Sequence, residues 1–461
     1  MGVKKGLREY AGPFFVAFGA AGRVHESERV SSFIVQYYGE KVYSRAMGAS
    51  SVQPSITAFE DFGYVELLPL LFWRSVFELH LGRKIALDRI AQRLGAPIVG
   101  IWARDWIASV AGQRCGVPVN HPATGQTVLV NGRWLIDKPV RFSRGPCVGT
   151  IADDVAYIVC DATLAQRLRP RIMFEPNQIK LSLDGVPRQN ADGRMLRRAW
   201  DVIGDLSALL EQDWEEADAG IEAELDATVV LRDRGRIHVG ERARVEPFAV
   251  LDASTGPIYV SHDSQVGSFS VIEGPAYIGP GTRIMPHARL HGGVGIGPVC
   301  RIGGEVCGSI INGYTNKQHH GFLGHSYVGS WVNFGAGATN SNLKNTYGRI
   351  RVPIGGTEVE TNRQFFGAIV ADHAKIGINA AIPTGAVIGL AASIAATKLI
   401  PKYVPSFAWV TDDGVRKGDP ARLLDVAVAA MARRNVEMTD DEVELLLNLG
   451  ERVREYEKPA R

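Results

Sequence analysis

A short repeat that begins after about Arg234 limits most strongly how this chain can fold. In blocks of six the sequence runs VGERAR, VEPFAV, then VSHDSQ, VGSFSV, then IGPGTR, IMPHAR, IGPVCR and IGGEVC; it resumes as VGSWVN, FGAGAT and later as VADHAK, IGINAA, IPTGAV, IGLAAS. An aliphatic residue opens nearly every block, glycine often follows it, and a small residue recurs near the fifth place. Each block can supply one short flat strand, with the aliphatic side chain turned into a narrow interior and small residues at the corners. Three blocks make a turn, and stacked turns bury one continuous core. The period predicts a left-handed parallel β-helix, an exception to the usual right-handed crossover. A β-sandwich does not fit, because its strands lack a fixed period. The flat sides and open ends of such a coil need covering, and a homotrimer is the expected assembly.

The rest of the chain follows from that boundary. At 461 residues, two domains or more are expected. Residues 1–57 show weak periodicity and end in a Ser/Gln/Pro-rich stretch that reads as a linker, with Met47 just before it as a candidate later start. Residues 58–216 alternate short apolar runs with helix-like segments. Tyr64 to Leu68, Ile98 to Trp102 and Thr127 to Val130 read as strands, the last followed by an Asn131-Gly132 turn; Arg83 to Leu94 and Ala199 to Glu216 read as helices. That alternation predicts an α/β, Rossmann-like domain with a largely parallel sheet. A linker at 217–234, the coil at 235–412 and a helical extension at 413–461, with Thr439-Asp440 as an N-cap, complete the expected order.

Composition narrows the partners. A formal net charge of +2 gives no electrostatic footprint for nucleic acid or an anionic membrane. No apolar run approaches a bilayer span, and the short Pro13–Ala21 run after Lys4, Lys5 and Arg8 gives only a faint likeness to a leader. The five cysteines, Cys115, Cys147, Cys160, Cys300 and Cys307, form no Cys-x-x-Cys pair. Reduced thiols in a cytoplasmic protein are the expectation, with no metal site.

The blocks break between about Gly308 and Val328, which predicts a loop thrown out from the coil. Gly313 to Asn345 gathers His319, His320, Lys317, Lys344, Asn316, Asn333, Asn340 and Asn342 around Gly335 and Gly337. Read by residue type alone, the histidines serve equally as loop residues, the cations as surface charges and the asparagines as corner residues. The run Asn333-Phe334-Gly335-Ala336-Gly337-Ala338-Thr339, with Lys317-x-His319 before it and Asn342 after it, resembles the acetyltransferase half of the bifunctional GlmU family, which makes UDP-N-acetylglucosamine. Asn333 lies fourteen positions after His319, as in that family.

The resemblance implies that His319 is the general base towards an amino-sugar phosphate, with Asn342 beside it; an imidazole titrates near neutrality and suits the task. It further implies that Arg289, Lys317, Asn333, Phe322 and Lys344 hold the sugar phosphate, and that acetyl-CoA lies along Ala336, Ala371, Gly389 and Ala391. Two positions depart from the family. Phe322 stands where it has a tyrosine, and Cys307 where a lysine is expected, so one polar contact and one cation are lost.

In front of the coil, Leu68-Pro69-Leu70 through Arg74-Ser75-Val76-Phe77-Glu78-Leu79-His80-x-Gly82 resembles a divergent sugar-nucleotidyltransferase opening of LPL, RPV, ELR type, with Ser75 for the proline and His80 for the arginine. Such an enzyme needs a glycine-rich loop for the triphosphate and a carboxylate for Mg²⁺. The nearest loop is Gly19-Ala20-Ala21-Gly22-Arg23, and the metal position reads Asn131-Gly132-Arg133, without a carboxylate. Arg74 and Arg83 are the phosphate candidates. The leading expectation is acetyl transfer to an amino-sugar phosphate by the coil. The alternatives are UTP- or dTTP-dependent nucleotidyl transfer to a sugar 1-phosphate, with Mg²⁺, or sugar-nucleotide binding without catalysis.

Overall fold

The computed structural model describes residues 55–215 and 218–457. Met47, the Gly19–Arg23 stretch and nearly all of the expected extension lie outside them. The amino-terminal part is an α/β sheet whose strands are β1 (Ser55–Phe59), β2 (Ile98–Trp102), β3 (Thr127–Asn131), β4 (Cys147–Ile151), β5 (Asp154–Cys160) and β6 (Arg188–Asn190), in the order β2-β1-β3-β5-β4-β6. β1 runs parallel to β2 and β3, but β5 is antiparallel to both β3 and β4. The expected largely parallel sheet is therefore mixed. The reason is the two-residue turn that joins β4 to β5, which forces an antiparallel return.

Helices α1 (Ala86–Leu94) and α2 (Ala108–Cys115) each stop at a glycine in the left-handed region, Gly95 at φ 62° and Gly116 at φ 67°, whose N–H closes the last turn. Of Tyr64–Leu68, expected as a strand, all but Leu68 falls within a 3₁₀ helix at Phe62–Leu67, which Asp61 caps by accepting from the Gly63 N–H at 3.1 Å. The cap side chain competes with extended pairing and wins locally. Helix α3 (Ala199–Gln212) then lies against the middle of the coil, on the strands Arg289–Ile296, Glu305–Ile311 and Tyr327–Val328.

The coil is built from three parallel ladders. Ile258, Ala276 and Val294 stack in register on one face, and Val266, Ile284 and Ile302 on another, each a turn of eighteen residues above the last. The inward residues form a closed lumen, Ile237 through Val410, nearly all wholly buried. Corners are not reserved for small residues as expected. Phe248, Phe269, His287, Tyr314, Trp331 and His373 all adopt positive φ there, and their rings stack up the outside: Phe248 on Phe269 at 5.1 Å, and Tyr314 on Trp331 at 4.2 Å. Stacking against the ring on the next turn offsets a backbone conformation that L-residues seldom adopt.

The stretch 308–328, expected to project, stays in the coil. Asn316–Lys317, Phe322–Gly324 and Tyr327–Val328 all pair with neighbouring turns. The block pattern is masked there because Lys317 takes the inward place held one turn earlier by Ile302. Its ammonium donates to the Gly303 and His319 carbonyls at 2.9 and 2.8 Å, which makes a buried amine tolerable. The segment that does project is an antiparallel hairpin, Arg351–Ile354 with Thr357–Glu360.

Two carboxy-terminal helices, α4 (Pro420–Ala432) and α5 (Asp440–Tyr456), close the assembly. Thr439 caps α5 in a capping box with Glu442. One apolar core runs through the α/β sheet, the outer face of the coil and both helices. At its centre Arg74 is ion-paired with Asp372 of the coil, both nearly sealed from solvent, and also donates to Ser330 Oγ at 3.0 Å. Substituting Arg74 by methionine should lower unfolding stability by about 3–5 kcal/mol, because Asp372 is left buried and unpaired; urea denaturation of the full chain measures this, and Asp372→Asn should recover part of the loss in the double variant.

Candidate functional site

On the face that α3 borders, consecutive turns bring polar residues into columns. Arg289, Glu305 and Phe322 share one column, and His291, Cys307 and Gly324 the next. The strand Arg289–Ile296 carries a bulge after His291, where Gly292 and Gly293 both have positive φ; a Cβ at Gly292 would meet Cys307 Sγ at 3.0 Å. His291 Nε2 lies 3.0 Å from Glu305 Oε1. One turn above, His325 Nδ1 lies 2.8 Å from Asn342 Nδ2, and its ring stacks on Phe365 at 5.5 Å. Its Nε2 lies over Gly308, where a Cβ would come within 3.1 Å of it.

Burial holds the His325 imidazole below its ordinary pKa, and the charges of His291 and Arg363 act in the same sense. Phe322 and Asn342 meet over Gly324: a Cβ there would touch Phe322 Cζ at 2.4 Å and Asn342 Nδ2 at 2.6 Å. The face thus offers a neutral imidazole, an amide, a carboxylate with a second imidazole, and the edge of an aromatic ring.

The residues singled out in the sequence are distributed unevenly with respect to it. Arg289, Phe322 and Asn342 are on this face. Arg289 is exposed and gives two hydrogen bonds to Glu273 Oε1, at 3.1 and 3.3 Å. His319 is exposed on the corner before Phe322, its Nε2 3.1 Å from Gln318 Nε2. Asn342 therefore pairs with His325 and not with His319. Lys317 is turned inward, and burial pushes its pKa down to about 8; it is not presented to a phosphate. Asn333 is exposed, in register with Asn316 and Lys375. Lys344 donates to the Arg349 carbonyl at 2.6 Å.

Of the positions expected along acetyl-CoA, Ala336 is half-buried, but Ala371 and Ala391 are 0 % and 3 % exposed within the shared core, and a Cβ at Gly389 would meet the Ser406 nitrogen at 2.2 Å. Those three face protein, because the amino-terminal part and α4 cover that side of the coil.

The residue that sequence reasoning missed is His325. A signal was present: Asn342 follows it by seventeen residues, the same spacing that stacks Asn333 over Asn316.

In the amino-terminal part the three nucleotide candidates are engaged elsewhere. Arg74 is in the ion pair described above. Arg83 bonds Asp218 at 2.7 Å and lies 3.7 Å over the Tyr259 ring. Asn131, at the end of β3, donates to Asp61 Oδ2 at 2.8 Å and to the Val155 carbonyl at 2.9 Å, and accepts from the Arg133 N–H. Arg133 spans Asp61 and Asp154 at 2.6 and 2.8 Å. A metal ion does not fit this set: each carboxylate is already neutralised by a guanidinium, and no cluster of three or more metal-binding side chains occurs among the described residues.

Residues 56–221 match the sugar nucleotidyl transferase family model. Proteins described as bifunctional protein GlmU are similar over part of the chain. The one from a Cyanothece strain is 28% identical over 43% of this chain and 39% of its own length, and the one from Methanococcus vannielii 33% identical over 31% and 34%. The chain spans well under half the length of these curated relatives. Among solved structures, the UDP-N-acetylglucosamine acyltransferase of Francisella novicida matches 48% of this chain and 76% of its own with 17% identity and a TM-score of 0.35. A nucleotidyl-transferase-type sheet followed by a β-coil defines a two-part, transferase-like architecture. Over the matched parts the chain is similar to GlmU proteins.

His325 gives a direct test of the local electrostatics. A histidine whose pKa is depressed by folding contributes stability in full above the ordinary imidazole range, and that contribution is lost as pH falls through the range towards its folded value. Replacing His325 by glutamine should therefore make the urea midpoint fall less than in the parent between about pH 7 and pH 5.

Proposed function

We propose that the coil transfers an acetyl group from acetyl-CoA to the amine of an amino-sugar phosphate, in sugar-nucleotide metabolism. The observation that supports this reading is the gathering of Arg289, Phe322 and Asn342, positions the GlmU resemblance assigns to the acceptor and to the side of the general base, along a short run of turns on one face. In this reading His319, exposed at the corner beside Phe322, accepts the amine proton as nitrogen attacks the thioester carbonyl. The new C–N bond forms, the C–S bond breaks, and the proton passes to the departing CoA thiolate. His325, fixed by Asn342, and His291 with Glu305 form the floor against which sugar hydroxyls bind. The thioester enters from the Ala336 side, since Ala371, Gly389 and Ala391 are covered within the chain.

Nucleotidyl transfer by the amino-terminal part is the second reading, favoured by the family match over 56–221. It has to contend with Asn131 at the metal position and with Arg74, Arg83 and Arg133 already paired. A sheet of this kind that keeps its shape while its charged groups turn to internal bonds fits a nucleotide-binding or assembly role.

Thiol release from acetyl-CoA, assayed with a panel of amino-sugar phosphates, separates the readings. Turnover that falls about 10²–10⁴-fold in His319→Ala and shows mainly a raised KM in His325→Gln supports acyl transfer at this face. No thiol release with any acceptor, together with pyrophosphate release from UTP or dTTP and a sugar 1-phosphate, would overturn it in favour of the second.

A further inference from the structure

Four arginines stand together on another face of the coil, with no ion-pair partner among the described residues. Arg283 and Arg301 occupy the same place on consecutive turns, where neighbouring strands lie about 4.8 Å apart. Arg301 in turn stacks beneath Asn316. Arg434, in the turn after α4, crosses to this column and donates to Asn316 Oδ1 at 2.5 Å, and Arg433 comes with it. The charges of Arg301, Arg433 and Arg283 all bear on Arg434, and those of Arg283 and Arg433 on Arg301. Arg301 and Arg434 are half-buried, and the Arg434 Nε is sealed from solvent without a hydrogen-bond partner.

Among the described residues none of the four forms an ion pair. One turn below Arg283, Gln265 donates to Glu246 at 3.0 Å. Glu222, Glu224, Asp226 and Asp263 line a cleft towards the open end of the coil together with Arg242, Arg244 and Arg283, but none of them is ion-paired with Arg283.

Like charges on adjacent strands repel, and a guanidinium does not escape by losing its proton. Among the described residues no ion pair offsets this repulsion. Planar forks converging from two elements suit the oxygens of a phosphoryl group, which Arg binds in bidentate fashion. Lys317, which the sequence nominated for phosphate, is meanwhile spent on main-chain carbonyls.

We propose that Arg283, Arg301, Arg433 and Arg434 form a binding site for the phosphoryl or diphosphoryl group of a small-molecule ligand, closed from one side by the turn between α4 and α5. Asn316 links the site to the His319 corner, three residues on, a distance of about 10 Å along extended chain. A nucleotide or coenzyme A could span it. The proposal stands on charge and geometry alone and does not require the acyl-transfer reading.

Thermal unfolding of the full chain with millimolar inorganic pyrophosphate, UDP or coenzyme A, each against sodium sulfate at equal ionic strength, tests it. Pyrophosphate should raise the melting temperature of the parent and bind about tenfold more weakly to Arg301→Gln and to Arg434→Gln. Exposed Arg351→Gln should bind as the parent does. Without ligand, Arg301→Gln should melt at or above the parent, since repulsion is relieved; a purely structural Arg301 would lower it both with and without ligand. Stabilisation by coenzyme A but not UDP identifies the acyl donor as the phosphate source, the reverse identifies a nucleotide, and equal shifts identify the phosphoryl group itself. No shift with any of the three, a shift matched by sulfate, or equal binding by the parent and both variants overturns the proposal.

Discussion

The ion pair between Arg74 and Asp372 is the contact on which the arrangement of the molecule depends. Two charges withdrawn from water are tolerated only when every remaining lone pair and proton finds a partner. Here Asp372 also accepts from the Ser330 N–H at 2.6 Å, and Arg74 donates to the Ser330 hydroxyl. Around the pair, Trp73 meets His373 edge-on at 5.2 Å, and Arg114 lies over Trp73 while bonding Glu78 and Glu442. The α/β sheet, the coil and α5 are therefore tied at one place. This is why one apolar core passes through all three, whereas the lumen of the coil forms a core of its own.

That tie decides which surfaces remain for ligands. Residues that would lie along a thioester on an uncovered coil, Ala371 and Ala391, are part of the joint, and Arg74 is its central charge. A guanidinium in a buried pair cannot also bind phosphate without leaving its acid unsatisfied. What stays accessible is the face of Arg289, Phe322 and Asn342, and the arginine column reached by α4. The two are joined through the short path from Asn316 to Phe322.

The parts of this arrangement that were legible in the sequence follow from periodicity. Ile258, Ile284, Leu290 and Ile302 announce inward positions because each is aliphatic and each recurs with the turn. The coil, the helices at 420–456 and the strands at 98–102 and 127–131 could be placed for that reason. The stretch 308–328 could not, because Lys317 fills an inward slot and satisfies its charge on two carbonyls, a solution that no hydrophobic pattern reveals. Tyr64–Leu68 has strand-like composition, yet the Asp61 cap commits it to a 3₁₀ turn. The partners of Arg74, Arg83 and Asn131 lie tens to hundreds of residues away in sequence, so residue type suggested phosphate or metal where tertiary pairing gives a structural bond.

The same geometry explains why His325 was overlooked and why it matters for reading such chains. In a coil, chemistry is assembled along columns rather than within a motif, so the neighbours of a residue lie about one turn away in sequence. His319 stands out in the sequence because its neighbours are polar and contiguous. His325 is hidden between Gly324 and Ser326, yet its column supplies Asn342 above, and Gly308 leaves room at its Nε2. Arg283, Arg301 and Asn316 form a second column by the same rule, and Arg434 reaches it only because α4 folds back along the coil. Where a repeat sets the fold, reading residues at the turn spacing finds groups that proximity in sequence does not.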